Sequence, residues 1–151
     1  MTASHQPVFR DLNREECERL LRRSHVGRIA FAFHDRVDIE PIHYVYDGGW
    51  IYGRTGQGTK LATIASQRLV AFEVDEVRAL FDWRSVVVKG AFTLIELDTP
   101  VERGPAFAHG VELLRALVPD TLRANDSASF RSSVFRIHGA EITGREASPA
   151  H

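Results

Sequence analysis

The sequence lacks four features that would each assign it to a special class of protein. Its single cysteine, Cys17, cannot form a disulfide within the chain, which favours a reducing compartment. No apolar run approaches the roughly 20 residues that a membrane-spanning helix needs, and the first residues do not resemble a signal peptide. With 19 basic and 20 acidic residues the formal net charge is -1, so no overall field favours nucleic acid or an anionic membrane. These absences predict a cytoplasmic protein without a nucleic-acid or membrane partner.

The rest of the composition is that of a chain that can bury a core. Hydrophobic residues make up 44% and charged residues 26% of the 151 positions, values typical of globular proteins. This length suits a single domain, which we expect to span residues 10–145, with loose termini at 1–9 and 146–151. The 7 histidines include no pair spaced for a metal ion, so no metal site is predicted.

The first predicted element is a capped helix. Asn13 followed by Glu16 matches a capping box, and Leu12 with Cys17 matches the positions of a hydrophobic staple. The helix is expected to end near Gly27. Its predicted buried face consists of Cys17, Leu20 and Leu21.

After this helix the pattern becomes one of short apolar strands separated by turns. Residues 47–49, Asp-Gly-Gly, are a strong hairpin signal, and Gly90 is placed where a bulge or bend would help a long strand curve. Strands are predicted at 26–33, 37–46, 50–54, 69–74, 85–97 and 133–142, and helices at 59–66 and 105–118. The tail from residue 144 is expected to be loose. The pattern predicts a mostly β protein with peripheral α-helices, built as a small antiparallel barrel.

Residues 54–60 have the clearest chemical character. The segment follows an apolar strand, precedes a helical pattern and holds two glycines, two threonines and two cations. Glycines let backbone N–H groups face a ligand, and a helix N-terminus adds partial positive charge. Arg54 and Lys60 add formal charge, while Thr55 and Thr59 add hydroxyl donors. Such a loop suits a phosphate monoester; the alternative is a solvated turn with a basic helix cap.

Five motifs in a fixed order carry a resemblance to a known family. They lie at residues 27–31, 40–49, 51–60, 72–75 and 83–90. In this order the chain resembles the pyridoxamine 5'-phosphate oxidase-like superfamily of flavin-binding split β-barrels. It is most similar to the short bacterial members grouped with the nitroimidazole-resistance proteins. The resemblance covers about residues 10–145.

The resemblance implies an FMN site at the interface of a homodimer. The family's phosphate-binding loop is matched by Arg54, Thr55, Thr59 and Lys60. The strand that runs along the isoalloxazine ring is matched by Pro41, Ile42, His43 and Tyr44. The segment that closes the pocket is matched by Arg84, Ser85 and Val86, with Ser85 where members place a polar side chain on the flavin.

Two residues can each be interpreted in two ways. His43 is either a flavin contact or a surface histidine with a satisfied hydrogen bond. Trp83 is either an anchor of the dimer interface, where aromatic residues are enriched, or a cap of the flavin pocket.

The leading functional interpretation is an FMN-dependent oxidoreductase that reduces a small organic acceptor with a reduced nicotinamide. The alternatives are a flavin-binding protein for storage or sensing, a reductase that uses deazaflavin F420, and a haem-binding split barrel. Vitamin B6 oxidase activity is not expected, because those oxidases carry a further C-terminal region that holds the substrate. Nitroimidazole reduction is not expected either, because Arg54 stands where those members have a histidine.

Overall fold

The computed structural model describes residues 6–56, 68–95, 104–128 and 133–149, which form eight strands and two helices. The strands are β1 (Val8–Leu12), β2 (Val26–Phe33), β3 (Arg36–Asp47), β4 (Trp50–Thr55), β5 (Arg68–Ala79), β6 (Asp82–Ile95), β7 (Ser133–His138) and β8 (Glu141–Ser148). The helices are α1 (Arg14–Arg23) and α2 (Gly104–Leu117). No helix in these ranges is long and apolar enough to cross a membrane.

The strands form one antiparallel sheet that closes on itself in part. Their order is β1-β8-β6-β5-β2-β3-β4-β7, and β7 also pairs with β6. Strands β2 to β7 therefore make a closed barrel, and β8 and β1 extend the sheet outward from β6. This arrangement confirms the predicted mostly β, split antiparallel barrel.

Strand β6 belongs to both parts of the sheet. Its first half pairs with β8 and its last residues, 92–95, pair with β7. Gly90 lies where the partner changes, and a Cβ placed there would lie 1.5 Å from the carbonyl oxygen of His138. Only glycine allows this close approach of the two backbones. The break in register between β5 and β6 lies elsewhere, between Val77 and Ala79.

The core follows from the alternation of side chains along the strands. The inward residues are apolar and almost fully buried, among them Ile29, Tyr44, Phe72, Val88 and Phe135. Helix α1 adds Cys17, Leu20 and Leu21 to the same cluster, as predicted. Burial also raises the pKa of the Cys17 thiol, as expected for a structural rather than a reactive cysteine.

The predicted capping box is present. Asn13 Oδ1 accepts a hydrogen bond from the Glu16 backbone N–H at 2.9 Å, and Glu16 Oε1 accepts one from the Asn13 N–H at 3.0 Å. Arg10 forms an ion pair with Glu16 at 2.7 Å. The pKa of the Glu16 carboxyl is lowered to about 2, first by Arg10 and then by the Asn13 N–H.

Both chain ends differ from the prediction. The single strand expected at 133–142 is two strands, β7 and β8, separated by a turn at Gly139 and Ala140. The tail expected to be loose from residue 144 continues as β8 to Ser148, and β1 begins at Val8 within the region expected to be loose. The reason is mutual pairing: β8 lies between β1 and β6, so its backbone groups are satisfied on both sides. The predicted helix at 59–66 lies outside the described residues.

Candidate functional site

Strand β3 presents alternate residues to the outer surface of the barrel. Pro41 and His43 are exposed on this outer face, whereas Ile42 and Tyr44 point inward and are 3% and 0% exposed. The Tyr44 hydroxyl donates to the Leu21 carbonyl at 2.8 Å, so its polar end is used in the core. Of the four β3 residues matched by sequence, two can therefore offer side chains to a ligand and two only their backbone.

Arg54 on β4 neighbours His43 on the same face but is buried, with 8% of its surface exposed. Its guanidinium donates to both carboxylate oxygens of Asp126, with Nη1 to Oδ1 at 3.4 Å and a shorter contact from Nη2 to Oδ2. Nη2 also donates to the Ala128 carbonyl at 3.1 Å. Arg54 thus ties β4 to the segment that follows α2.

Asp126 is held from three sides. Besides Arg54, its carboxylate accepts the backbone N–H groups of Leu122 at 2.8 Å and Ala128 at 3.0 Å. Burial by itself would raise the pKa of the Asp126 carboxyl, but these donors outweigh it and the pKa is lowered. Asp126 could not be identified from the sequence, because the turn-forming composition of residues 125–127 does not point to Arg54.

A cavity of about 240 Å³ lies next to this ion pair. His43 and Arg54 line it from the strands, and Leu114, Leu117 and Val118 line it from the end of α2. The rest of the lining consists of Thr121, Ser127 and Ala128. The structure therefore brings a β3 residue and a residue of the predicted phosphate loop to one cavity.

The rest of the predicted phosphate loop is described only in part. Thr55 is 3% exposed and pairs with Ser133 on β7. Thr59 and Lys60 lie outside the described residues.

The β6 residues matched by sequence point in different directions. Val86 is 0% exposed in the barrel core. Arg84 points away from the outer face of β6 and forms an ion pair with Glu146 at 2.6 Å. Ser85 lies on the outer face, where its hydroxyl donates to Glu73 Oε2 at 2.8 Å.

Glu73 belongs to a small charged cluster on this face. Arg28 Nη1 lies 3.5 Å from both Glu73 Oε1 and Asp75 Oδ1. Partial burial raises the pKa of the Glu73 carboxyl, opposed by the Ser85 hydrogen bond and reinforced by Asp75. Glu73 is therefore the half-buried carboxylate at the centre of the cluster.

Within one chain these β6 residues are not close to the β3 residues. Pro41 pairs with Arg28, Arg28 with Glu73, and Glu73 with Val87. Three strand spacings, on the order of 14 Å, therefore separate β3 from β6 along the outer face. The structure brings His43 and Arg54 together, and it leaves Ser85 on a distant part of the same surface.

The surface next to the charged cluster is apolar and open. A cavity of about 490 Å³ lies there, lined by side chains of β2, β3 and β5 that include Ala30, Ala32, Val37, Leu69 and Ala71. Val37 is 81% and Leu69 79% exposed. Trp83 lies beyond the other side of the cluster, with its ring centroid 6.3 Å from that of Phe9, and both of its interpretations stay open.

Comparison with known proteins gives consistent matches over most of the chain. A family model described as pyridoxamine 5'-phosphate oxidase matches residues 13–146. The uncharacterized protein RA0666 of Rhizobium meliloti is 30% identical over 83 residues, which are 55% of this chain and 55% of that protein. The chain thus aligns with about half the length of this curated relative.

Solved structures share the fold. A FAD-binding protein from Mesorhizobium loti is 26% identical, with a TM-score of 0.70 over 95% of this chain and 99% of that one. A FAD-binding protein from Mycobacterium smegmatis is 25% identical, with a TM-score of 0.62 over 91% and 97%. A Bacteroides thetaiotaomicron protein assigned to 5-nitroimidazole antibiotic resistance is 10% identical, with a TM-score of 0.63 over 99% and 96%, and shares the fold alone. These matches confirm the resemblance seen in the sequence.

Proposed function

Because the chain belongs to the pyridoxamine 5'-phosphate oxidase family, we propose that it binds a flavin and uses it to reduce a small organic acceptor with a reduced nicotinamide. The observation that carries the proposal is the meeting of His43 and Arg54 at one cavity. A flavin site needs an apolar wall, a few donors and an anchor for phosphate. This cavity has the apolar wall and the donors, and Arg54 is the first residue of the loop that suits the phosphate.

The proposed cofactor contains the FMN moiety, either as FMN, which the resemblance implies, or as part of FAD, which two structural relatives bind. Its phosphate is assigned to the loop of Arg54, Thr55, Thr59 and Lys60. Its ring is assigned to β3, with side-chain contacts from Pro41 and His43 and backbone contacts from Ile42 and Tyr44. When bound, the flavin supplies the hydride chemistry, while the residues of the chain orient it and exclude water.

We assign the outer face of β2, β5 and β6 to a homodimer interface. Leu69 on β5 is 79% exposed, and Val37 at the start of β3, the strand next to β2, is 81% exposed. Such apolar side chains resemble an interface rather than a solvated surface. The separation of β3 from β6 supports the same conclusion, because a ring on His43 of one chain meets Ser85 only if Ser85 belongs to a second copy. If two chains pair about a two-fold axis through this face, the β3 residues of one chain and Ser85 of the other would belong to one flavin site. Arg84 and Val86 then support Ser85 from within its strand.

The absorption spectrum of the purified protein tests the cofactor, because flavins, F420 and haem have distinct bands. Anaerobic mixing with NADH or NADPH then tests the reaction. We expect bleaching of the flavin band by a nicotinamide and recovery of the band when an acceptor is added. A bound flavin that no donor bleaches would contradict the oxidoreductase and favour a binding protein for storage or sensing. A spectrum of F420 or haem would contradict the flavin itself.

A further inference from the structure

Glu73 is a carboxylate on the outer face of the sheet that has no role in the proposed function. Its side chain is 30% exposed, and its Oε2 accepts a hydrogen bond from the Ser85 hydroxyl at 2.8 Å. The hydrogen bond joins two neighbouring strands, because Glu73 lies on β5 and Ser85 on β6. Ser85 is itself partly buried, so the carboxylate rather than bulk solvent decides where its hydroxyl hydrogen points.

The direction of this hydrogen bond follows from the charge of Glu73. An ionised carboxylate carries no hydrogen and can only accept, so the single hydroxyl hydrogen of Ser85 is used by Glu73. The lone pairs of Ser85 Oγ are then all that the hydroxyl has left for a ligand. A ligand group that meets Ser85 must therefore be a donor.

A flavin offers a donor at its reactive nitrogen in only one oxidation state. In the oxidised ring N5 is a bare acceptor. Hydride transfer adds two electrons and a proton at N5, so this atom then carries a hydrogen and becomes a donor. A hydroxyl that is fixed as an acceptor is complementary to the reduced ring, whereas it leaves N5 of the oxidised ring unpaired.

The charge of Glu73 is set by the groups around it. Partial burial, reinforced by Asp75, raises the pKa of the Glu73 carboxyl, and the Ser85 hydrogen bond and Arg28 on β2 oppose this rise. Further charged side chains on the same face are Lys89 on β6, Glu141 and Arg145 on β8, and Asp11 on β1. A protonated Glu73 could itself donate to Ser85, and the hydroxyl would no longer be restricted to accepting.

We infer that Glu73 is a positioning residue for the flavin: it orients the Ser85 hydroxyl so that its oxygen accepts a hydrogen bond from N5–H of the reduced ring, which raises the reduction potential of the flavin. The inference rests on the proposed function, in which Ser85 of one copy meets the flavin held by the other. Glu73 acts through Ser85 and need not touch the flavin.

The first test measures the reduction potential of the bound flavin. The protein is loaded with FMN or FAD, whichever it binds, and is reduced with mediator dyes, so the result does not depend on turnover with a nicotinamide. Ser85→Ala should lower the ratio of the affinities for reduced and oxidised flavin about fivefold, a fall of about 20 mV for a two-electron couple. Ser85→Thr keeps the hydroxyl and should stay close to the wild type. An unchanged potential in Ser85→Ala would overturn this inference and leave the proposed function standing, whereas binding of neither flavin would overturn both.

The second test separates orientation of the hydroxyl from the charge of Glu73. Loss of a negative charge near the ring would by itself raise the potential, because that charge disfavours an anionic reduced flavin. Glu73→Gln can donate as well as accept, so it no longer fixes the hydroxyl, and it should lower the potential in the presence of Ser85 but not in Ser85→Ala. Asp75→Asn is the matched control, since Asp75 lies the same 3.5 Å from Arg28 while Ser85 donates to Glu73; its potential should not fall. A higher potential in Glu73→Gln, or a fall that persists in Ser85→Ala, would overturn the inference.

The pH profile tests Glu73 without any substitution at that residue. The difference in potential between the wild type and Ser85→Ala should be full above the folded-state pKa of Glu73 and should shrink as the pH falls through it, because a protonated Glu73 no longer holds Ser85 as an acceptor. A difference that stays the same at every pH would overturn the role of Glu73.

Discussion

Two regions of the barrel's outer surface differ in what lies on them. Over β3, β4 and β7, helix α2 packs Val111 and Leu114 against Val134, and the ion pair of Arg54 with Asp126 lies beside this contact. Over β2, β5 and the start of β3, Leu69 and Val37 face outward and no described residue covers them. The same antiparallel sheet thus has one outer region that a helix covers, with a small cavity, and another that is open and apolar.

The two regions are suited to different roles. The covered region fixes a few polar groups in place, as a ligand site requires. The open region offers area without fixed polar groups near Leu69, as an association surface requires. A charge should therefore act on assembly in the open region and on ligand binding or folding in the covered region.

The largest expected effect comes from a charge in the open region. Leu69→Asp should weaken the dimer at least about 100-fold, because an unpaired charge buried in an interface costs about 3 kcal/mol or more. Flavin content should fall with the dimer. Leu80→Asp is the matched control, since Leu80 has the same 79% exposure but lies at the turn between β5 and β6. Light scattering checks both variants. If both variants are dimers, or if the wild type is a monomer that carries flavin, the assignment of this face to the dimer interface is contradicted.

In the covered region the sharpest change is the removal of Arg54. Arg54→Met should lower the midpoint of thermal unfolding by several degrees, because the Asp126 carboxylate loses its guanidinium partner while remaining buried. The double variant Arg54→Met with Asp126→Asn should recover part of the loss. Circular dichroism during heating measures both.

The same pair predicts a pH dependence. The folded-state pKa of Asp126 is lowered, so its stabilisation is present above the unfolded pKa and is lost as the pH falls through the folded one. The advantage of the wild type over Arg54→Met should therefore shrink below about pH 4. An advantage that stays constant down to acidic pH would show that the variant fails for another reason.

A smaller effect is expected in the phosphate loop. Lys60→Ala should weaken FMN binding about tenfold, since a charge-assisted hydrogen bond contributes about 1.5–3 kcal/mol. Riboflavin, which lacks the phosphate, should bind both forms equally. Arg19→Ala removes an exposed cation from α1, outside the loop, and should leave FMN binding unchanged. If Lys60→Ala also binds FMN as the wild type does, the loop is not the phosphate site.

The smallest effect is expected at Glu73. Its folded-state pKa is raised by partial burial, so its contribution to stability is greatest below the unfolded pKa and is lost as the pH rises through the folded pKa. Glu73→Gln should therefore gain stability relative to the wild type between about pH 4 and pH 7. Denaturant unfolding at the two pH values measures the gain in stability. The gain is small because Glu73 is only partly buried and solvent screens its charge. A relative loss at the higher pH would show that the ion pair with Arg28 outweighs burial.

Much of the local structure could be predicted from short patterns. The capping box of Asn13 and Glu16, the buried side of α1 and the hairpin at 47–49 depend on neighbours a few positions apart. The division of 133–148 into β7 and β8 could not be predicted, because Gly139 and Ala140 give a weak turn signal. The extension of β8 to Ser148 depends on pairing with β1 and β6, which lie far away in sequence.

The candidate site shows the same limit. The sequence singled out Arg54 and His43 by type and position, and alternation predicts which β3 residues share a face. It did not indicate Asp126, because the two partners of that ion pair are 72 positions apart. It grouped Ser85 with the β3 residues through a family motif, whereas the register shows that three strand spacings separate them in one chain.

The β-rich class, the alternating inward residues and the basic loop at 54–60 follow from the sequence alone, because each depends on a local period or a short run of residue types. Three other features depend on long-range packing: α2 covers β3 and β4, Asp126 forms an ion pair with Arg54, and Leu69 stays exposed among the described residues. Those facts depend on which strands pair and on where a helix returns to the sheet. Many distant contacts decide such choices together, and no single segment of the chain encodes them.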